Sequence, residues 1–113
     1  MFRVKTYFPK YCAEHLIDML KNQDLNRKGN YKNCITYYDV NSEWDALAGA
    51  KPNTGFANSH NKEDEVCVEF DCDFYDLRRV LKYLKLVHPY EEPAIFVEST
   101  ATAKELQNSK TYR

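Results

Sequence analysis

Apolar and polar residues alternate through the first stretch of the chain. Phe2, Val4, Thr6 and Phe8 share one face, and Arg3, Lys5 and Tyr7 share the other. A period of two predicts a half-buried strand over residues 2–8, broken at Pro9. From Tyr11 the spacing becomes helical. Ala13, Leu16, Ile17 and Leu20 recur on one side, with Glu14, Asp18 and Lys21 outside. That helix fades near Asp24 to Asn26, where Asn-Arg-Lys-Gly-Asn at 26–30 is turn chemistry. A second strand at 33–40 sets Cys34, Thr36, Tyr38 and Val40 against Ile35 and Tyr37. A third, over 64–71, turns Val66, Val68 and Phe70 inward and Glu65, Cys67, Glu69 and Asp71 to the opposite face. The clearest helix follows. Asp73 is its N-cap, Leu77, Val80, Leu81, Leu84 and Val87 form its stripe, and Pro89 forces a stop at His88. Ala94 to Val97 make a last strand, and the polar tail from Ser99 reads as a frayed or short helical end.

The order strand, helix, strand, strand, helix, strand predicts an α+β fold. It is the ferredoxin-like βαββαβ sandwich, an antiparallel sheet with two helices on one face. Residues 1–98 form this single domain and 99–113 its polar tail. Between the second and third strands, 41–62 reads as a long loop with a short strand near Glu43 to Ala46. Loops of that length in compact domains are usually functional or mobile. The sheet face away from the helices carries Arg3, Lys5, Tyr7, Cys67 and Glu69, a mixture that suits a subunit interface.

Charge and composition narrow the classes of partner. The net charge of −1 lacks the basic surface that neutralises phosphates, which disfavours a nucleic-acid partner. No apolar run approaches the roughly 20 residues that span a bilayer. The amino-terminal segment alternates as a strand does and lacks the apolar block of a signal peptide, so a cytoplasmic location is expected. Four cysteines, with no Cys-x-x-Cys spacing, read as buried thiols rather than a zinc site or a redox pair.

The densest chemistry is His88-Pro89-Tyr90-Glu91-Glu92-Pro93. Imidazole and carboxylate suit a divalent metal, with His88 and Glu91 as candidate ligands. In the competing reading His88 caps the helix end, Tyr90 packs, and the glutamates accept hydrogen bonds from a neighbour. Adjacent glutamates on an extended segment point to opposite faces and rarely serve one ion together. No nucleophile motif or phosphate loop accompanies the histidine, which argues against an enzyme. The Gly49 to Gly55 loop is a candidate anion nest or a plain turn. His15 is expected on the surface, and His60, beside the acidic run at 63–65, reads as a solvated loop histidine.

Three segments resemble one family: Gly29-Asn30-Tyr31 followed by Cys34, Leu47 to Gly55, and His88 to Ala94. Their order and spacing are similar to the domain inserted in YqfO-type proteins of the NIF-three-like family, over roughly residues 2–98. The resemblance implies a PII/CutA-like subunit that assembles through its sheet, with a trimer favoured. It also implies that the family's dinuclear metal centre lies on flanking domains, so no hydrolase activity transfers to these residues. On this reading the long loop and the turn after the second helix meet at an intersubunit cleft. The ligand-binding candidates are His88, Tyr90, Glu91 and Glu92, supported by Asn30, Tyr31, Gly49, Asn53 and Gly55. The expected function is a non-catalytic oligomeric module binding a small ligand, an ion or a partner protein. The alternatives are a divalent-metal-binding protein using His88 and a glutamate, and a small metal-assisted hydrolase.

Overall fold

In β1 (Phe2–Pro9) the alternation works as the pattern predicts: Val4, Thr6 and Phe8 are buried under the helices. The structure, a computed structural model, describes residues 1–52 and 55–107. β1 runs directly into α1 (Lys10–Lys21), which buries Ala13, Leu16, Ile17 and Leu20. The end of α1 tightens, with Asn22 N–H bonded to Met19 C=O at 3.2 Å, and Asn33 Nδ2 donates to Lys21 C=O at 2.8 Å. Asn33 thus satisfies a carbonyl that the last helical turn would leave unpaired. The turn at 26–30 is a small hairpin, β2 (Arg27–Lys28) with β3 (Tyr31–Lys32).

β4 (Ile35–Ala46) and β5 (Ser59–Cys72) follow, then α2 (Phe74–Val87), β6 (Ile95–Ser99) and the short α3 (Ala103–Gln107). The sheet order is β4-β5-β1-β6, with every neighbouring pair antiparallel. Asp73 caps α2 by accepting Asp76 N–H at 3.0 Å, and Val80 and Leu84 face the core. Burying a leucine such as Leu84 contributes about 1.5–3 kcal/mol. At His88 the backbone swings to an extended ψ of 129°, as the following proline requires. One apolar cluster joins both helices to Val4, Phe8, Val66, Val68 and Phe70 on the inner sheet face. The observed architecture is the ferredoxin-like sandwich.

The expected loop over 41–62 is corrected, except that its short strand near Glu43 to Ala46 is present as the end of β4. β4 continues through Ala46 and β5 begins at Ser59, in register from Val40↔Glu65 to Ala46↔Ser59. The connection shrinks to 47–58, of which 53–54 lie outside the described residues. β1 ends opposite Glu65, so residues 41–46 and 59–64 project beyond it as a two-stranded ribbon. At about 3.3 Å per residue the ribbon reaches about 20 Å. It lies on a molecule measuring 54 × 28 × 24 Å. Water reaches the ribbon broadly, so its sequence lacks the apolar alternation that marks a half-buried strand. Polar cross-strand ties replace it. His60 bonds Asp45 at 2.6 Å and Glu43 at 2.9 Å. His60 is therefore a strand residue rather than a loop residue, and these two carboxylates, Glu43 first, raise its pKa.

On the sheet face away from the helices, charges close over β5. Asp71 receives Lys28 at 2.9 Å and Arg3 at 3.1 Å, and Tyr38 donates to Glu69 at 2.9 Å. Burial pushes the Asp71 carboxyl up, but Lys28 and Arg3 together outweigh it and hold the group below its usual range. Phe96 and Tyr38 remain exposed on this face.

Candidate functional site

The corner after α2 turns His88 inward. Its ring is 7% exposed and packs against Phe8 and Tyr90, each with ring centroids 5.1 Å away. Nε2 donates to Tyr7 C=O at 2.8 Å, and Nδ1 accepts Tyr90 N–H at 3.2 Å. A backbone N–H can only donate and a carbonyl can only accept, so these partners fix the neutral Nε2–H tautomer. Burial lowers the imidazole pKa, against the opposing influence of the Tyr7 carbonyl and Glu65. His88 is thus a strut that fastens the corner to the end of β1.

Tyr90 extends from that strut across the outer sheet face. Its ring lies 6.0 Å from Trp44, and its hydroxyl donates to Glu65 Oε2 at 2.5 Å. Burial, and then Glu65, raise the phenol pKa well above its ordinary value. Glu65 is 4% exposed as a residue. One residue on, Glu91 Oε1 accepts Lys51 N–H at 3.1 Å. The 47–52 loop and the 88–94 corner therefore meet within one chain, without a second copy.

Together they enclose an open cavity of about 1020 Å³. Trp44, Ser42 and Ala46 of the ribbon form one wall, Tyr7 and Glu65 the floor, and Tyr90, Glu91 and Glu92 the other wall. Gly49 and Ala50 border it. Of the candidate residues, Tyr90, Glu91, Glu92 and Gly49 line this space, while His88 stands behind Tyr90. Gly55 supports the loop from outside, with a φ of +80° and no room for a Cβ beside Asn61. Asn53 lies outside the described residues. Asn30 and Tyr31 are exposed on the β2–β3 hairpin, whose Lys28 binds Asp71. Six residue steps along β5, about 20 Å, separate Asp71 from Glu65. Within one chain, Asn30 and Tyr31 are therefore remote from the cavity.

Trp44 and Glu65 are the lining groups that the sequence pattern passed over. Continuing the face of Thr36, Tyr38 and Val40 by two-residue steps reaches Ser42, Trp44 and Ala46, and would have found the first. The acidic run at 63–65 concealed the second, because runs of like charge are usually solvated. Among the described residues, no group of three or more His, Cys, Asp and Glu side chains is placed to hold a metal ion.

No protein-family model matches the chain. It is 28% identical over 92 residues to the GTP cyclohydrolase 1 type 2 homolog of Staphylococcus epidermidis, covering 81% of this chain and 25% of that protein. The Bacillus cereus protein related to NIF3 superposes with a TM-score of 0.74 at 23% identity, over 89% of this chain and 26% of that one. CutA1 from Pyrococcus horikoshii superposes at 0.67 with 17% identity, over 95% of this chain and 92% of its own. The PII-like protein CutA from Nostoc sp. PCC 7120 gives 0.68 at 18% identity, over 95% and 88%. The chain has the CutA-like fold and resembles the domain within NIF3-related proteins. This CutA-like domain spans about a quarter of the length of the curated relatives it matches, but nearly the whole of a CutA chain. Among its described residues, no helix is long and apolar enough to cross a membrane.

Proposed function

We propose that this CutA-like domain is a non-catalytic, self-associating module. It binds a small ligand or a partner segment in the cleft between the ribbon, the 47–52 loop and the 88–94 corner. The cavity carries the reading: it is the size of a small-molecule site, with aromatic walls and a few convergent polar groups. His88 serves as the structural strut, since both ring nitrogens are already used, and Tyr90, Glu91 and Glu92 meet the ligand. Self-association, as a trimer, is supported by the outer sheet face, where Phe96 and Tyr38 stay uncovered in the single chain. The four unpaired cysteines fit a reducing compartment such as the cytoplasm.

Light scattering after gel filtration tests the assembly, with a mass of three chains expected. A monodisperse monomer would refute it. A thermal-shift screen of small metabolites tests the cleft. A compound that stabilises the wild type but not Ala46→Trp, whose indole fills the cavity, is the expected result. Equal stabilisation of both proteins places binding elsewhere.

A further inference from the structure

Resting on the cleft as the binding site, we infer that its ligand is a small organic cation: an ammonium or guanidinium group on an aliphatic stem. The lining is one-sided in charge. Asp45, Glu65, Glu91 and Glu92 border the cavity, and no Lys, Arg or His lines it among the described residues. Two of these carboxylates are already engaged within the chain, Asp45 with His60 and Glu91 with Lys51 N–H. Glu65 differs. The residue is withdrawn from water at 4% exposure, and Tyr90 holds one of its oxygens. A carboxylate so held in a low-dielectric wall attracts a positive group more strongly than one in water. The rings of Trp44 and Tyr90 pack on each other with centroids 6.0 Å apart, and both line the cavity beside Glu65. A cation within about 6 Å of such faces gains the attraction of their quadrupoles. The aliphatic stem fits against Ala46 and Ala50. Phosphates and carboxylates meet only like charge here, so the same lining selects against them.

Trp44 is the chain's sole tryptophan and lies in the wall, so its fluorescence reports occupancy directly. The test titrates the full chain with four probes of equal stem: butylammonium, butylguanidinium, butanol and butyrate. Both cations should change Trp44 emission saturably and bind at least tenfold more tightly than butanol, with butyrate weakest. Glu65→Gln and the exposed Glu92→Gln should each weaken the cations and leave butanol unchanged. Glu92→Gln preserves the test if Glu65→Gln disturbs folding. Butyrate or butanol binding as tightly as the cations would overturn the charge assignment while leaving the cleft as a binding site. If all four probes leave emission unchanged, the cation assignment fails, and the thermal-shift screen then decides the cleft independently. Cation binding that survives both glutamine variants at full strength would also overturn it.

Discussion

Replacing Tyr90 with Phe removes one oxygen and isolates a buried charge. The phenol is the only hydrogen-bond donor to the Glu65 carboxylate among the described residues, at 2.5 Å, and Glu65 is 4% exposed. Hydrogen bonds to charged groups contribute about 1.5–3 kcal/mol, and a buried acceptor left unpaired costs a similar amount. Tyr90→Phe should therefore lower unfolding free energy by about 2 kcal/mol, or about 8 °C in Tm for a domain of this size. The ring survives, so its packing on Trp44 and His88 is retained. Urea denaturation at fixed protein concentration, followed by Trp44 fluorescence and by circular dichroism, measures the loss. Pairing the change with Glu65→Gln completes a double-mutant cycle whose coupling should be about 1.5 kcal/mol or more. The pH profile gives a second reading. A phenol whose pKa is raised on folding contributes stability below about pH 10, and that contribution falls away above it. Tyr90→Phe should flatten that alkaline limb. A loss under about 0.5 kcal/mol, or strict additivity with Glu65→Gln, would refute the reasoning.

His88→Ala should cost about 3 kcal/mol through lost packing and two unpaired backbone groups, read by the same denaturation. Because burial lowers the His88 pKa, wild-type stability is held above about pH 6.5 and lost as pH falls below it, so the variant should show a flatter profile between pH 7 and 5. His60 has the opposite sign. Its raised pKa stabilises the ribbon below about pH 6.5 and less above, and His60→Ala should erase that trend in amide exchange of the ribbon. Gly55→Ala would drive a methyl into Asn61 Oδ1 at a positive φ, and should destabilise by more than about 1 kcal/mol in thermal melts. Asp71→Asn should lose no more than about 1 kcal/mol at neutral pH, since Arg3 and Lys28 are half exposed. That difference should vanish as pH falls below the carboxyl's lowered range, as titration melts would show.

Where one face of an element is buried, the sequence pattern and the structure coincide. Val4, Thr6 and Phe8, the α1 stripe, and the Asp73 to His88 helix with its cap and stop were all legible, because each meets one continuous core. Legibility ends where the core ends. Residues 41–46 and 59–64 pair with each other beyond β1, so Glu43, Asp45, His60 and Lys62 carry the sheet with polar contacts that resemble a loop's. Leu25, fully buried after α1, lay in a stretch whose turn residues concealed it. The corner motif was legible as a rigid turn. Its partners Trp44 and Glu65 were not, because the short strand holding the first was expected inside a loop rather than paired with β5, and the second closes an acidic run.

The ribbon also sets a gradient of stability along a single strand. From Glu65 to Phe70, β5 is paired on both sides and backed by the core, whereas Ser59 to Asp64 have one partner strand and water. Segments of that second kind open locally at a fraction of the global unfolding energy. Amide protection should therefore fall sharply on crossing from Glu65 to Asp64. The wall bearing Trp44 belongs to the yielding half, while the floor and the His88 corner belong to the rigid half. A ligand that bridges them would do part of its work by folding the outer half of β5 onto the inner, and its affinity would carry that ordering penalty.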